Sequence, residues 1–505
     1  MKHVLFLMTL ALWANSSFAS DDFSAINKYV IAAKNEVGFP SGTAIAIVKD
    51  GKVVYEGYFG YANIKEKQKV TDKTAFYLAS ITKPFFALST LLMEDQGDIS
   101  SFTSMGKMFS KLDFPHIDNR KVQLKHLLSH SHGLDNLPLQ ETLAFTGLHD
   151  KAQRHKLAIA SKYDPNSSLG EYQYSNLGYN LTSIWVEDYY QKDWQEKLNE
   201  LVYQPLKMNR TSSYMSDSIK RGFSVARPYA LNVKSPLEVL PFEKNNLTMQ
   251  AAGGTISTAK DMARFLIAQL NNGYIDGEQV FPANVIEKSH QQLAVNNLKY
   301  RDFIRKGYAW GWYIGPYKGE NMYHHFGGTP GTHTHASFMI KHNIGLVILN
   351  NESMVSSKIS NAIADIAYSI LLKKDDVDEK TNFHIVEMQE AWKMAKSNIQ
   401  DDFDSVEKRD ASRTMELSLE KSKYAGVFHN PLWGNLTIEL LETNEFKVTL
   451  GELEAIATAA KLADELRIQL PVMGGKIVSF KIGKGEVQML EVLGINHTGE
   501  NFTKI

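Results

Sequence analysis

The run from Phe85 to Met93 is apolar on nearly every face, because Phe85, Phe86, Leu88, Leu91, Leu92 and Met93 leave no polar stripe. A helix of that kind must lie inside a core, so the chain has to wrap layers round it. The pattern predicts a helix that begins near Ser80, with Pro84 in the first turn, where its missing N–H has few partners to lose. Ser80 and Lys83 then sit three apart on one face at the N-terminal end. A hydroxyl beside an amine is a nucleophile beside a base, and the helix dipole favours negative charge there.

Spacing alone does not select this pair. The same Ser-x-x-Lys spacing occurs at Ser104, Ser257, Ser405 and Ser418. The Ser257 match falls where Ala251-Ala-Gly-Gly-Thr-Ile-Ser-Thr258 leads into a helix, so an N-cap at Ser257 or Thr258 accounts for it. What surrounds Ser80 is more telling. Thr43 to Val48 is β-branched and apolar, and Asp50-Gly51 joins it to Lys52-Val-Val-Tyr55 in a hairpin. From Asp113 to Met208 the pattern is mostly helical with polar loops, one of which carries Tyr174-Ser-Asn176. Tyr308 to Tyr313, His335 to Ile340 and Gly345 to Asn350 read as returning strands, with the glycine-containing stretch His324 to Gly331 between them.

With 505 residues the chain exceeds one typical domain. Lys373 to Lys380 is a charge run, and after residue 421 short alternating segments such as Leu436 to Leu440, Phe446 to Leu450 and Leu466 to Leu470 predict a small antiparallel barrel or sandwich. The expected divisions are residues 1–19, 20–372, 373–420 as a charged helical connector, and 421–505.

Lys2 and His3, the apolar run Val4 to Trp13, and Ser17-Phe-Ala19 have the layout of a signal peptide cleaved after Ala19. The run is shorter than the roughly 20 residues a spanning helix needs. The expectation is an exported protein, periplasmic or secreted, with no membrane span in the mature chain. A net charge of -1 gives no electrostatic case for nucleic acid, and the absence of cysteine excludes disulfides, thiolate metal sites and a cysteine nucleophile.

The order of these pieces resembles the serine β-lactamase and penicillin-binding-protein superfamily, in the branch of class C β-lactamases, D-alanyl-D-alanine carboxypeptidases, D-aminopeptidases and esterases. The similarity covers residues 23–369 and is carried by Ser80-Ile-Thr-Lys83, Tyr174-Ser-Asn176 and His325-Phe-Gly327 in the family's order. His126 to Leu134, Gly253-Gly254 and Gly311-Trp312 add to it. The resemblance implies an α+β fold, an antiparallel sheet flanked by helices with an inserted helical lobe. It implies Ser80 as acylated nucleophile, Lys83 and Tyr174 sharing the proton work, and Asn176 orienting the cluster or a substrate amide. Backbone N–H groups of Ser80 and Gly328 would form the oxyanion hole, beside His325 and Gly327, and Gln140 would match a side chain that contacts substrate.

Two departures bear on substrate. The family's Lys-Thr-Gly is His325-Phe-Gly here, which replaces a permanent cation by a group largely neutral at pH 7. His132 stands where relatives carry a small residue, which narrows the cleft. His324, His325, His333 and His335 raise the question of metal, but no Asp, Glu or Cys cluster accompanies them, so neither metal nor cofactor is expected. The expected partner is a small-molecule, peptide or ester substrate, with self-association through the C-terminal domain. β-Lactamase action is one alternative, and a catalytically silent penicillin-binding or sensor protein on the same fold is another.

Overall fold

A computed structural model describes residues 21–495 and 498–505; the expected signal peptide lies outside the described residues. Strand Thr43–Lys49 sits inside an eight-stranded sheet, with Lys52–Phe59 on one side and Ile344–Asn350 on the other. The order continues through Thr332–Met339, Glu320–Thr329, Tyr313–Tyr317, Phe303–Tyr308 and Ala294–Tyr300, with every neighbour pair antiparallel. Alternation decides which side chain meets which layer. Ala44, Ala46 and Val48 face the core that contains Phe85, Leu88 and Leu91, while Ile45 and Ile47 face a second core with Tyr29, Val30 and Ile363. Burial on both faces explains why the strand is continuously apolar. The Asp50-Gly51 turn has φ of 49° and 72°, as a tight hairpin requires.

The apolar helix runs Thr82–Asp95 and is buried from Thr82 to Met93. Ser80 lies just ahead of it, in a single 3-10 turn Ala79–Ile81. Ala79 is left-handed (φ 49°) although it carries a Cβ, a conformation held by the packing around it. The helical lobe includes Leu124–Leu128, Leu137–Glu141, Lys151–Ile159 and Leu177–Tyr190.

Three local expectations change. Tyr308 to Tyr313 is a reversal between two strands: Gly311 is left-handed (φ 84°), and a Cβ on it would lie 2.6 Å from the Pro84 backbone. The stretch from His324 to Thr329 is part of strand Glu320–Thr329, because each residue from Tyr323 to Thr329 finds a partner in Thr332–Met339. Thr258, and not Ser257, caps helix Ala259–Leu270 by accepting from Asp261 N–H at 3.1 Å; Ser257 instead bonds the Thr211 hydroxyl at 2.7 Å.

Helix Val377–Ala411 buries Met388 and Trp392 in the same core as Tyr29 and Ile363, so this segment packs along the sheet domain. Beyond it, strands from Gly426 onward form one antiparallel sheet of nine among the described residues. Its near-end strands Leu453–Ile456 and Glu465–Leu470 touch, which gives a nearly closed barrel around Phe428, Trp433, Leu436 and Phe502.

Candidate active site

The 3-10 turn, the buried helix, the Tyr174 loop and the Gln250–Gly254 turn converge on one amine. Lys83 Nζ lies 3.0 Å from Ser80 Oγ, 2.9 Å from Asn176 Oδ1 and 2.7 Å from the Ala252 carbonyl. Lys83 is fully buried, and no carboxylate among the described residues pairs with it, so burial holds its pKa well below the usual lysine range. The contacts fit a neutral amine: Asn176 and Ala252 each accept one N–H, which leaves the lone pair directed at the Ser80 hydroxyl.

Tyr174 lies beside this group, its ring centroid 4.9 Å from Lys83 Nζ. It keeps 39% of its surface open to the cleft. Even so, desolvation and then the neighbouring Tyr313 push its phenol well above the usual range, with a Ser80 hydrogen bond working the other way. The ring rests on His130 at 4.3 Å and stacks on Tyr313 at 6.4 Å. His130 is buried with a left-handed backbone (φ 59°), and its Nδ1 lies 2.8 Å from the Ser175 carbonyl, which can only accept. His130 thus props the Tyr174 ring and ties down its loop.

Gln140 reaches the same loop from behind. Its Oε1 accepts from Ser175 Oγ and from Asn176 N–H, both at 3.0 Å. The carbonyl end is therefore committed to holding the loop, while the amide nitrogen lies 3.5 Å from the Asn136 carbonyl and keeps one N–H. His132 is buried, accepts from Leu134 N–H at 3.0 Å, and lines a small cavity of about 120 Å³ with Gln140 and Tyr174. Burial lowers its pKa to about 4, so it lines this cavity as a neutral group.

Strand Glu320–Thr329 forms the opposite side. A Cβ on Gly327 would lie 2.0 Å from the Leu78 carbonyl, so only glycine lets the strand come this close to the segment carrying Ser80. Gly328 follows, exposed and with open space where a side chain would be. His325 is buried; its Nδ1 lies 2.7 Å from the Phe326 carbonyl and its Nε2 3.2 Å from the Tyr308 hydroxyl. The carbonyl can only accept, so Nδ1 carries the proton and Nε2 accepts from Tyr308. Burial above all holds the pKa of the ring well below the usual histidine range. The other histidines have separate partners: His324 accepts from Arg305, His333 bonds Ser360, and His335 bonds Ser337.

The structure thus brings Ser80, Lys83, Tyr174, Asn176, His325 and Gln140 round one cleft. Sequence reasoning missed His130, Tyr308, Tyr313 and the Ala252 carbonyl. Their signals lay in stretches already singled out, since His130 falls within His126 to Leu134 and both tyrosines flank Gly311-Trp312. The competing Ser-x-x-Lys matches have other roles or none: Ser104 caps a short helix, Ser418 bonds Asp464 at 2.6 Å, and Ser405 is exposed.

The family model described as Beta-lactamase matches residues 31–365. The chain is 26% identical over 358 residues to "Penicillin-binding protein 4*" of Bacillus subtilis (strain 168), covering 67% of this chain and 74% of that protein. It is 24% identical over 429 residues to "Unguisins hydrolase ungD'" of Aspergillus campestris (strain IBT 28561), covering 79% and 74%. Among solved structures, the octameric penicillin-binding protein homologue from Pyrococcus abyssi superposes with a TM-score of 0.60 at 20% identity, over 95% of this chain and 100% of that one. The structure of SurE with D-Leu superposes at 0.53 with 16% identity, over 95% and 99%. The family match spans the sheet, the buried helix and every residue gathered round Lys83: the chain belongs to the beta-lactamase family and is a β-lactamase-related serine hydrolase of the acyl-transfer type.

Proposed function

We propose that the protein is exported and that Ser80 is acylated by a peptide, amide or ester substrate. The observation that carries this reading is the 3.0 Å contact between Ser80 Oγ and an amine whose two N–H groups are already committed to carbonyls. Lys83 then takes the Ser80 proton as Oγ attacks the carbonyl carbon. The C=O electron pair moves onto oxygen, held by the N–H groups of Ser80 and Gly328. Collapse of the tetrahedral adduct breaks the bond to the leaving group, which leaves with a proton delivered through Tyr174. Water repeats the sequence on the acyl-enzyme, releasing the acid and restoring Ser80. The opposite pKa directions of Lys83 and Tyr174 support this division, with the amine as base and the phenol as proton carrier.

A neutral His325 in place of the family's cation favours peptides and esters over substrates gripped by a carboxylate at that position. Relatives named as a penicillin-binding protein and as an unguisins hydrolase are in keeping with amide-bond substrates. The signal-like residues 1–19 support export. The octameric structural neighbour from Pyrococcus abyssi is in keeping with self-association here.

Labelling with a fluorophosphonate or a fluorescent penicillin tests the nucleophile, with a covalent adduct expected on Ser80 and none in Ser80→Ala. Parallel turnover of nitrocefin, a p-nitrophenyl ester and D-amino-acid peptides then ranks the substrates. Absence of labelling together with absence of turnover would leave the silent binding protein as the better reading.

A further inference from the structure

A cleft of about 750 Å³ opens beside the catalytic group, between Tyr77 and Thr329. Tyr77 is three residues ahead of Ser80, and Thr329 directly follows Gly328, so the cleft is lined by chain neighbours of both segments and not by Ser80 or Lys83 themselves. Its volume is that of a pocket for a drug-sized ligand, well beyond the need of a single alanyl group. Met215, Ile219, Phe223, Phe242 and Leu247 make it largely apolar. Ile219 and Leu247 expose 86% and 62% of their surface at its rim.

Two cations and two carboxylates interrupt this surface: Arg227 pairs with Glu243, Glu66 lies on the wall, and Lys244 has no ion-pair partner among the described residues. Lys244 Nζ lies 4.6 Å from the Phe145 ring centroid, 5.3 Å from Phe242 and 5.8 Å from Tyr77. It donates to the carbonyls of Ala144 and Thr248; burial lowers its pKa to about 7, and in the ammonium form present below that pH it has one further N–H. No carboxylate forms an ion pair with it among the described residues, although Glu141 is close enough to act on it through space.

The wall that carries Lys244 is built on the C-terminal barrel. Phe242 belongs to the barrel core with Tyr424, Trp433 and Leu436, and Asn245 donates to Glu452 at the tip of a barrel hairpin at 2.9 Å. The segment from Phe242 to Leu247 is thus a partition, with the barrel behind it and the cleft in front.

We infer that this partition forms a substrate subsite of Ser80 that takes a bulky apolar acyl or peptidyl group bearing an oxygen acceptor, which Lys244 binds. The inference rests on Ser80 being the acylated residue. The barrel sets specificity by fixing the position of the partition, without touching the reacting atoms.

Two ester probes test it on the full-length mature protein: p-nitrophenyl octanoate, and the p-nitrophenyl monoester of suberic acid, whose chain ends in a carboxylate. Ile219→Asp with Leu247→Asp changes only exposed rim positions and is expected to lower kcat/KM for octanoate at least about fivefold relative to p-nitrophenyl acetate, as loss of buried apolar contact implies. Lys244→Met is expected to lower kcat/KM for the suberate ester about tenfold relative to octanoate, the loss expected for one charge-assisted hydrogen bond. Fluorophosphonate labelling of Ser80 is expected to be unchanged in both variants. Equal losses on all esters, or no change in either ratio, would overturn the subsite while leaving the nucleophile standing. Failure of Ser80 to label would instead remove the acyl-enzyme reading and the subsite with it.

Discussion

The Tyr308 hydroxyl donates to His325 Nε2 at 3.2 Å, on the ring whose Nδ1 is already given to the Phe326 carbonyl. This pair of contacts fixes one neutral tautomer. A donor to Nε2 stabilises the unprotonated ring, so Tyr308→Phe raises the His325 pKa towards its ordinary value of about 6.5. NMR titration of His325 is expected to show that upward shift. An unchanged titration would mean that burial alone holds the ring neutral.

Lys83 links activity to stability. Its folded pKa lies below the unfolded one, so between the two the unfolded state binds more protons and stability rises with pH, up to about 10.5. Lys83→Met is expected to raise Tm at neutral pH and to remove that slope. Its acylation rate is expected to fall roughly 100- to 10,000-fold, the span of general-base effects. The trade is measured by thermal unfolding against pH beside stopped-flow acylation.

Tyr174→Phe keeps the contacts of the ring with His130 and Tyr313 but removes the hydroxyl proposed to carry the proton. Turnover is expected to slow at least about tenfold with little change in Tm. Unchanged kinetics would assign leaving-group protonation to Lys83 alone.

The barrel tip meets the lobe at a point that accepts no side chain. Gly451 is left-handed (φ 58°), and a Cβ there would lie 2.0 Å from the Thr146 carbonyl, next to the Glu452 N–H that donates to the same carbonyl at 2.9 Å. Thr146 ends the turn that follows Gln140, and Gln140 holds Ser175 and Asn176. Gly451→Ala is expected to lower kcat/KM severalfold and to cost about 1 kcal/mol or more from the backbone conformation alone. Full activity in this variant would show that the barrel and the Tyr174 loop are independent.

Asp365 accepts from Lys318 at 2.6 Å and pairs with His384 at 2.8 Å, joining helix Val377–Ala411 to Ser356–Leu371. These partners outweigh burial and lower its pKa to about 2. The stability it contributes is present above the unfolded carboxylate value of about 4 and is lost as pH falls towards 2. Asp365→Asn is expected to flatten that acid limb in a chemical-denaturation series.

The sequence by itself determined the elements whose local pattern admits one answer. The apolar run after Ser80 had to be a buried helix, Thr43 to Val48 a two-faced strand, and Asp50-Gly51 their hairpin, because each rests on periodicity or on a backbone conformation few residues adopt. The family order of motifs singled out Ser80, Lys83, Tyr174 and His325. Pattern failed where contacts between distant segments decide the backbone. Gly311 turns the chain because Pro84 packs against it, and Thr258 caps its helix because Thr211 holds Ser257. Only the tertiary structure decided protonation, since desolvation and partner geometry are properties of assembled surroundings. The same lysine that composition counts as a charge is held, once buried between two carbonyls and a hydroxyl, well below its usual pKa.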